Sequence, residues 1–250
     1  MTNERVALVT GATSGIGVTI AEQLVERGLC VAITGRNEAR GREVEDRLGE
    51  RVRFIRADLT ERGAAVDVVA RAVEAFGRLD LAVNNAAIDH TGDLLEVGED
   101  EIRETFETNT FAAMNFLIAA GRQMREQGEG GAIINITSRL ASIGVPTMGV
   151  YSASKGAMLA FTKAAAIDLA QYNIRVNAVA PGMTRTPLYQ EWLDGLADPE
   201  AEAKRVAEAI PLGRIAEPAD VAAVVTFLAS PEAAYLTGAS IPVEGGYLAK

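Results

Sequence analysis

Short apolar runs alternate along this chain with longer stretches in which apolar residues recur every three or four positions. "RVALVT" (5–10), compact and valine-rich, predicts a buried strand, and "GIGVTIAEQLVERG" (15–28) predicts a helix closed by Gly28. The rhythm repeats with a strand over 30–34, a charged helix over 38–49, a strand over 51–58, a helix over about 61–77 and a strand over 79–86. A long helix over about 99–127 breaks off at "GEGG"; a strand over 132–138, an alanine-rich helix over about 151–171 and a strand over 174–182 follow. Residues 183–210 predict two short helices with loops, 217–230 a helix, and "SIPVEGG" a last short strand.

Strands that are apolar throughout need cover on both faces, and strands separated by helices are wound in parallel. The expected fold is therefore a single α/β domain over 1–250, a doubly wound, Rossmann-type parallel sheet of about seven strands with helices on both faces. Such sheets bind ligands at the carboxyl ends of their strands. Motifs at strand ends are the ones to weigh.

Charge narrows the partners. The 250 residues carry a formal net charge of −10, which repels nucleic acid and anionic lipid, so neither is an expected partner. A phosphorylated ligand has to be held by local geometry. The single cysteine, Cys30, forms no intramolecular disulfide, and one Cys with one His (His90) argues against a zinc site. "MTNERVALVT" has neither a basic segment nor a long apolar run, and "FAAMNFLIAAG" falls short of the ~20 apolar residues of a membrane span. A cytoplasmic protein is expected. His90 reads as a solvated loop residue.

Two strand-end stretches carry chemistry. "TGATSGIG" (10–17) lies between the first strand and the first helix. Glycines at 11, 15 and 17 permit a tight turn and a close approach by a pyrophosphate, and the helix behind offers free N–H groups. In "YSASK" (151–155) a phenol and an ammonium sit four positions apart on one helix face, with only small residues between. A neighbouring cation lowers a tyrosine pKa from its usual ~10, so Tyr151 is a candidate acid/base and Lys155 its activator.

"TGATSGIG", "NNAA" (84–87), Asn109, Ser138, "YSASK" and "PG" (181–182) occur in an order and spacing that resemble the short-chain dehydrogenase/reductase family, from about residue 5 onward. The resemblance implies hydride transfer between a nicotinamide cofactor and a secondary alcohol or ketone, with Asn109, Ser138, Tyr151 and Lys155 as the catalytic set. Ser138 would orient the substrate oxygen. The Asn109 main chain would hold a water linking Lys155 to solvent, and Lys155 would also bond the nicotinamide ribose. For the cofactor it implies Gly11, Thr13, Ser14, Gly15, Ile16 and Gly17 at the pyrophosphate, Asp58 and Leu59 at the adenine and Asn85, Ala86 and Ala87 beneath the adenosine ribose. At the nicotinamide end it implies Tyr151, Lys155, Pro181, Gly182, Thr184 and Thr186.

Members that use NAD usually carry an acid at the end of the second strand. Here Gly35 and Arg36 stand there; nothing repels a 2′-phosphate and a guanidinium can grip one, so NADP(H) is favoured over NAD(H). Ser14, where many NADP-preferring relatives have a basic residue, is the counter-indication. The family's substrate lid falls at about 183–210. Its apolar content (Met183, Leu188, Tyr189, Trp192, Leu193) points to an uncharged small-molecule ketone or alcohol over a phosphorylated sugar and leaves a 3-oxoacyl thioester, a cyclic or aliphatic ketone and a polyol open. A homotetramer, with a dimer second, is the implied assembly. The alternative reading is a catalytically idle nucleotide-binding protein that needs only the glycine loop.

Overall fold

The computed structural model describes residues 4–250. Seven strands form one parallel sheet in the order β3-β2-β1-β4-β5-β6-β7: β1 Val6–Thr10, β2 Cys30–Gly35, β3 Val52–Arg56, β4 Leu81–Asn84, β5 Gly131–Ile136, β6 Ile174–Pro181 and β7 Ser240–Val243. The helices are α1 Gly15–Glu26, α2 Glu38–Leu48, α3 Ala64–Phe76, α4 Glu99–Phe106, α5 Ala113–Gln127, α6 Gly149–Ala170, α7 Pro187–Asp194, α8 Pro199–Glu208 and α9 Pro218–Leu228.

Side chains alternate across each strand, and each face has its own core. On one, Ala7 and Val9 of β1 pack with Ile20 and Leu24 of α1, Val44 of α2 and Val221 and Val225 of α9. On the other, Leu8 of β1 packs with Val68 and Val69 of α3, Phe116 and Met124 of α5 and Ala165 of α6. The expected doubly wound α/β fold is the one observed. The direction of winding reverses between β1, paired to β2, and β4, which lies on the other side of β1. That reversal opens the cleft above the sheet where such folds bind ligands.

Polar bonds through the core then fix how the helices meet the sheet. Asn84, the last residue of β4, donates to Asn135 Oδ1 (2.9 Å) and to the Ala113 carbonyl (2.9 Å), and Asn135 donates to Thr162 Oγ1 (2.8 Å). This chain sets α6, which carries the YSASK stretch, against β4 and β5.

The continuous helix expected over 99–127 is interrupted. Residues Glu107–Ala112 form a π-helical segment between α4 and α5. Asn109 lies inside it, where π-turns often mark functional sites.

Candidate active site

The glycine loop follows β1 and is built by close approach. Gly11 has φ +62°, and a Cβ there would lie 2.7 Å from the Ala86 Cα; one on Gly17 would lie 2.5 Å from the Gly11 carbonyl oxygen. Both glycines are required by the spacing. Asn85 supports the loop from the end of β4: its Nδ2 donates to the Thr10 and Gly11 carbonyls (3.0 Å each), and its N–H and that of Ala86 reach Thr10 Oγ1 at 2.9 and 3.1 Å. Ser14 is extended (φ −163°, ψ 163°) and makes no capping bond to α1, so it leaves the first amides of that helix free for an anion.

The end of β2 lies alongside. A Cβ on Gly35 would come within 2.7 Å of Thr13 Cγ2. Thr13 thus occupies the space that a side chain at 35 would first enter. Arg36 is exposed and close enough to Asp58 for its charge to help lower that carboxyl. Burial pushes Asp58 up, but the hydroxyl and amide of Thr60 and the Arg36 charge hold it below the ordinary carboxylate range. Leu59, beside it, is partly buried against the α3–α5–α6 core.

The four expected catalytic residues come from three places in the chain. Ser138 lies just past β5, its Oγ accepting from the Leu140 N–H (3.1 Å), which leaves its own proton free to donate. Tyr151 is in the first turn of α6. Lys155, one turn on, is 4% exposed; its Nζ lies 5.6 Å from the Tyr151 ring centroid and donates to the Ile136 carbonyl at 3.0 Å. The expected adjacency is present.

The chain's own groups do not by themselves supply the expected acidity, which also draws on the positive ring of an oxidised nicotinamide. Burial raises Tyr151 well above its ordinary value of 10, the Asp89 carboxylate raises it further, and only the Ser138 hydroxyl pulls the other way. The amine expected to acidify the phenol is itself weakened: burial pushes Lys155 down from 10.5 to about 8, with Asp89 opposing. Spacing on a helix gave the geometry, and desolvation of both groups decides the charge.

Asn109, 1% exposed, accepts from the Ile88 N–H and donates to the Ile88 carbonyl (both 2.8 Å) and reaches Ser154 Oγ at 3.2 Å. Its side chain thus clamps the loop after β4 to α6. Beyond β6, the Gly182 N–H donates to the Val243 carbonyl (2.9 Å), and a Cβ on Gly182 would meet Glu244 at 2.8 Å. Thr184 donates to the Gly182 carbonyl (3.1 Å). Thr186 caps α7 by accepting from the Tyr189 N–H and packs beside Gly15, whose Cβ would stand 3.5 Å from its Cγ2. The segment carrying α7 and α8 is therefore seated against the glycine loop, with Tyr189, Leu193, Ile210 and Ile215 as its own core.

The family model described as enoyl-(acyl carrier protein) reductase matches residues 11–248. The NADP-dependent (R)-specific alcohol dehydrogenase of Lentilactobacillus kefiri is 36% identical over 250 residues, 98% of this chain and 97% of that one. The chain belongs to the short-chain dehydrogenase/reductase family. A solved structure of a variant actinorhodin polyketide ketoreductase with NADPH superimposes with a TM-score of 0.93, at 34% identity over 98% of this chain and 97% of that one. The 3-ketoacyl-(acyl-carrier-protein) reductase of Brucella melitensis, solved with NADH, gives 0.90 at 31% identity over 97% and 98%. This short-chain dehydrogenase/reductase is an NAD(P)-dependent oxidoreductase. No helix among its described residues is long and apolar enough to cross a membrane.

In this dehydrogenase/reductase three features escaped the sequence. His90 is a half-buried loop residue rather than a freely solvated one: its Nδ1 lies 2.7 Å from Thr105 Oγ1 and 3.1 Å from the Glu101 carbonyl, tying the loop after β4 to α4. Asp89, its neighbour, has a buried Oδ1 without a partner, and burial holds its carboxyl above the usual range against the pull of His90 and Lys155. Arg139, next to Ser138, stacks 3.9 Å over the Tyr247 ring with Nη1 buried and unpaired. "NNAAIDH" shows the acid at a strand end, which was the available signal for Asp89. Nothing in the spacing of "SRL" marks Arg139.

Proposed function

We propose that this enzyme reduces a small uncharged ketone to a secondary alcohol with NADP(H), and catalyses the reverse reaction when product and pH favour it. The observation that carries the reading is Tyr151 set between the Ser138 hydroxyl and the Lys155 ammonium at the carboxyl end of the sheet, beside the glycine loop. The cradle fits a dinucleotide, because Gly11 and Gly17 allow no side chain and the amides that open α1 are uncapped. When bound, the nicotinamide supplies or accepts the hydride.

The residues of the chain do the rest. Gly11 and Thr13 to Gly17 hold the pyrophosphate, Asp58, Leu59 and Asn85 to Ala87 the adenosine, and Pro181, Gly182, Thr184 and Thr186 the nicotinamide side. Arg36 takes the 2′-phosphate. The L. kefiri relative is named as NADP-dependent, which supports that preference. Ser138 donates to the substrate carbonyl, fixing it and stabilising the negative charge that grows on it. A tyrosine raised above its ordinary value is protonated throughout the neutral range, so Tyr151 begins the cycle as the acid and gives its proton to that oxygen. Lys155 holds the nicotinamide ribose and returns a proton to Tyr151. A water at the Asn109 main chain connects Lys155 to solvent.

Assembly as a cytoplasmic homotetramer belongs to the same proposal. Phe111, Ile118 and Ile167 leave 51%, 40% and 78% of their surface exposed on the segments that would meet. Light scattering measures the assembly.

Tyr151→Phe tests the mechanism. It should lower kcat/KM for ketones by about three orders of magnitude or more, as expected for loss of a proton donor, while cofactor affinity changes by less than about threefold. Retained turnover would refute it, and wild-type protein that binds cofactor yet turns over no ketone or alcohol would point to the idle nucleotide-binding protein.

A further inference from the structure

We infer that Asp89 selects substrates bearing a hydroxyl on the carbon next to the one that reacts, so that α-hydroxy ketones and vicinal diols are preferred to monofunctional ketones and alcohols. The inference deepens the proposed reading of the site and rests on it. Asp89 sits on the loop after β4, held at its base by the two Asn109 bonds to Ile88 and farther on by the Gly92 N–H, which donates to the Thr147 carbonyl at 3.0 Å. Its neighbour Ile88 is bonded to Asn109, whose Nδ2 also reaches Ser154 Oγ at 3.2 Å, in the turn of α6 between Tyr151 and Lys155; this sets Asp89 beside the catalytic turn, where its carboxylate also acts on both groups.

It is also unsatisfied. Oδ1 is buried with no hydrogen-bond partner, and a buried acceptor left unpaired is costly. The donors the fold brings near are used elsewhere: one Lys155 N–H goes to the Ile136 carbonyl and the others are those that the proposed mechanism gives to the ribose and to Tyr151, while His90 Nδ1 faces α4. The missing partner is a donor that arrives with the ligand. A carbonyl or carboxylate cannot supply one, and an ammonium would be repelled by Lys155. A neutral O–H fits. The loop also borders a cavity of about 210 Å³ whose lining mixes apolar side chains (Leu94, Val97, Val145, Val150) with the polar His90 and Glu101, which leaves room for a short chain beyond the two oxygenated carbons.

The test compares 1-hydroxybutan-2-one, butan-2-one and 1-aminobutan-2-one as substrates of the holoenzyme, with wild type, Asp89→Asn and Asp89→Ala. Hydroxy ketones are intrinsically more reactive, so the quantity read is the change in the hydroxy-to-plain kcat/KM ratio on substitution. A hydrogen bond to a charged acceptor accounts for a fall of about 10- to 100-fold in Asp89→Ala. Asp89→Asn, which keeps shape and an acceptor oxygen, should fall less. A ratio within about twofold of wild type in both variants overturns the inference, as does a preference for the amino ketone, or a loss confined to cofactor KM, which would give the orphan oxygen to the cofactor's ribose. Wild-type enzyme that reduces none of the three overturns ketone reduction itself and this selectivity with it.

Discussion

Replacing Lys155 by Met separates the energetic role of the buried ammonium from its chemical one. In the folded chain Lys155 is pushed down from 10.5 to about 8, whereas in the unfolded chain it keeps its proton to about 10.4. Between those values the unfolded state binds more protons, so raising the pH favours the folded state. Below pH 8 the charged group costs the fold about 3 kcal/mol, and integrating the linkage from pH 7 to 9.5 returns about 2 kcal/mol of that. The Ile136 carbonyl that loses its donor in the variant is penalised equally at every pH, so it drops out of the slope. Tyr151, raised by burial, acts in the opposite sense, and only as pH rises past its unfolded value near ~10. Urea unfolding of cofactor-free wild type and Lys155→Met, followed by circular dichroism at pH 7, 8, 9 and 9.5 and fixed protein concentration, measures the difference. Wild type should gain about 2 kcal/mol on the variant across the series. A pH-independent difference would mean that the ammonium is solvated or fully compensated, and the account of its weakened basicity would fail.

Two other substitutions address neighbouring parts of the site. Arg36→Ala should reduce kcat/KM with NADPH about 10- to 100-fold, the range for a charge-assisted phosphate contact, and leave the NADH value within about twofold; equal losses with both cofactors would remove the 2′-phosphate assignment. Asn109→Ala leaves the N–H and carbonyl of Ile88 without their two 2.8 Å partners. It should cost about 2–3 kcal/mol, a melting-temperature loss of roughly 4–12 °C for a chain of this size, and calorimetry that finds less than 2 °C would show that the clamp is unimportant.

Strand positions and the two-sided cover are legible in the sequence because burial on both faces leaves a direct mark, as in "RVALVT" and "IRVNAVAP". The lid's two short helices are legible from composition and turn residues, and emerge as α7 and α8. The π-segment is not. The apolar repeat across 99–127 reads as one helix, and the irregular turn coincides with side-chain contacts from Asn109 to Ile88 and Ser154, partners 21 and 45 residues away in sequence. The charge of Tyr151 escapes the sequence for a related reason. Local spacing places Lys155 beside it, but the burial of both groups and the Asp89 field come from segments far along the chain. His90 reads as solvated because its bonds run to α4, across a loop whose path the sequence does not disclose.

Between Gly35 and Thr13 there is no room for one more carbon atom. A carboxylate placed at the end of β2 would therefore press on the Thr13 side chain, which would have to turn aside or be made smaller to admit it. On the proposed NADP(H) reading, coenzyme choice rests on the fit between two adjacent turns as well as on Arg36, so exchange of the arginine alone should not by itself make room for an acid at the end of β2.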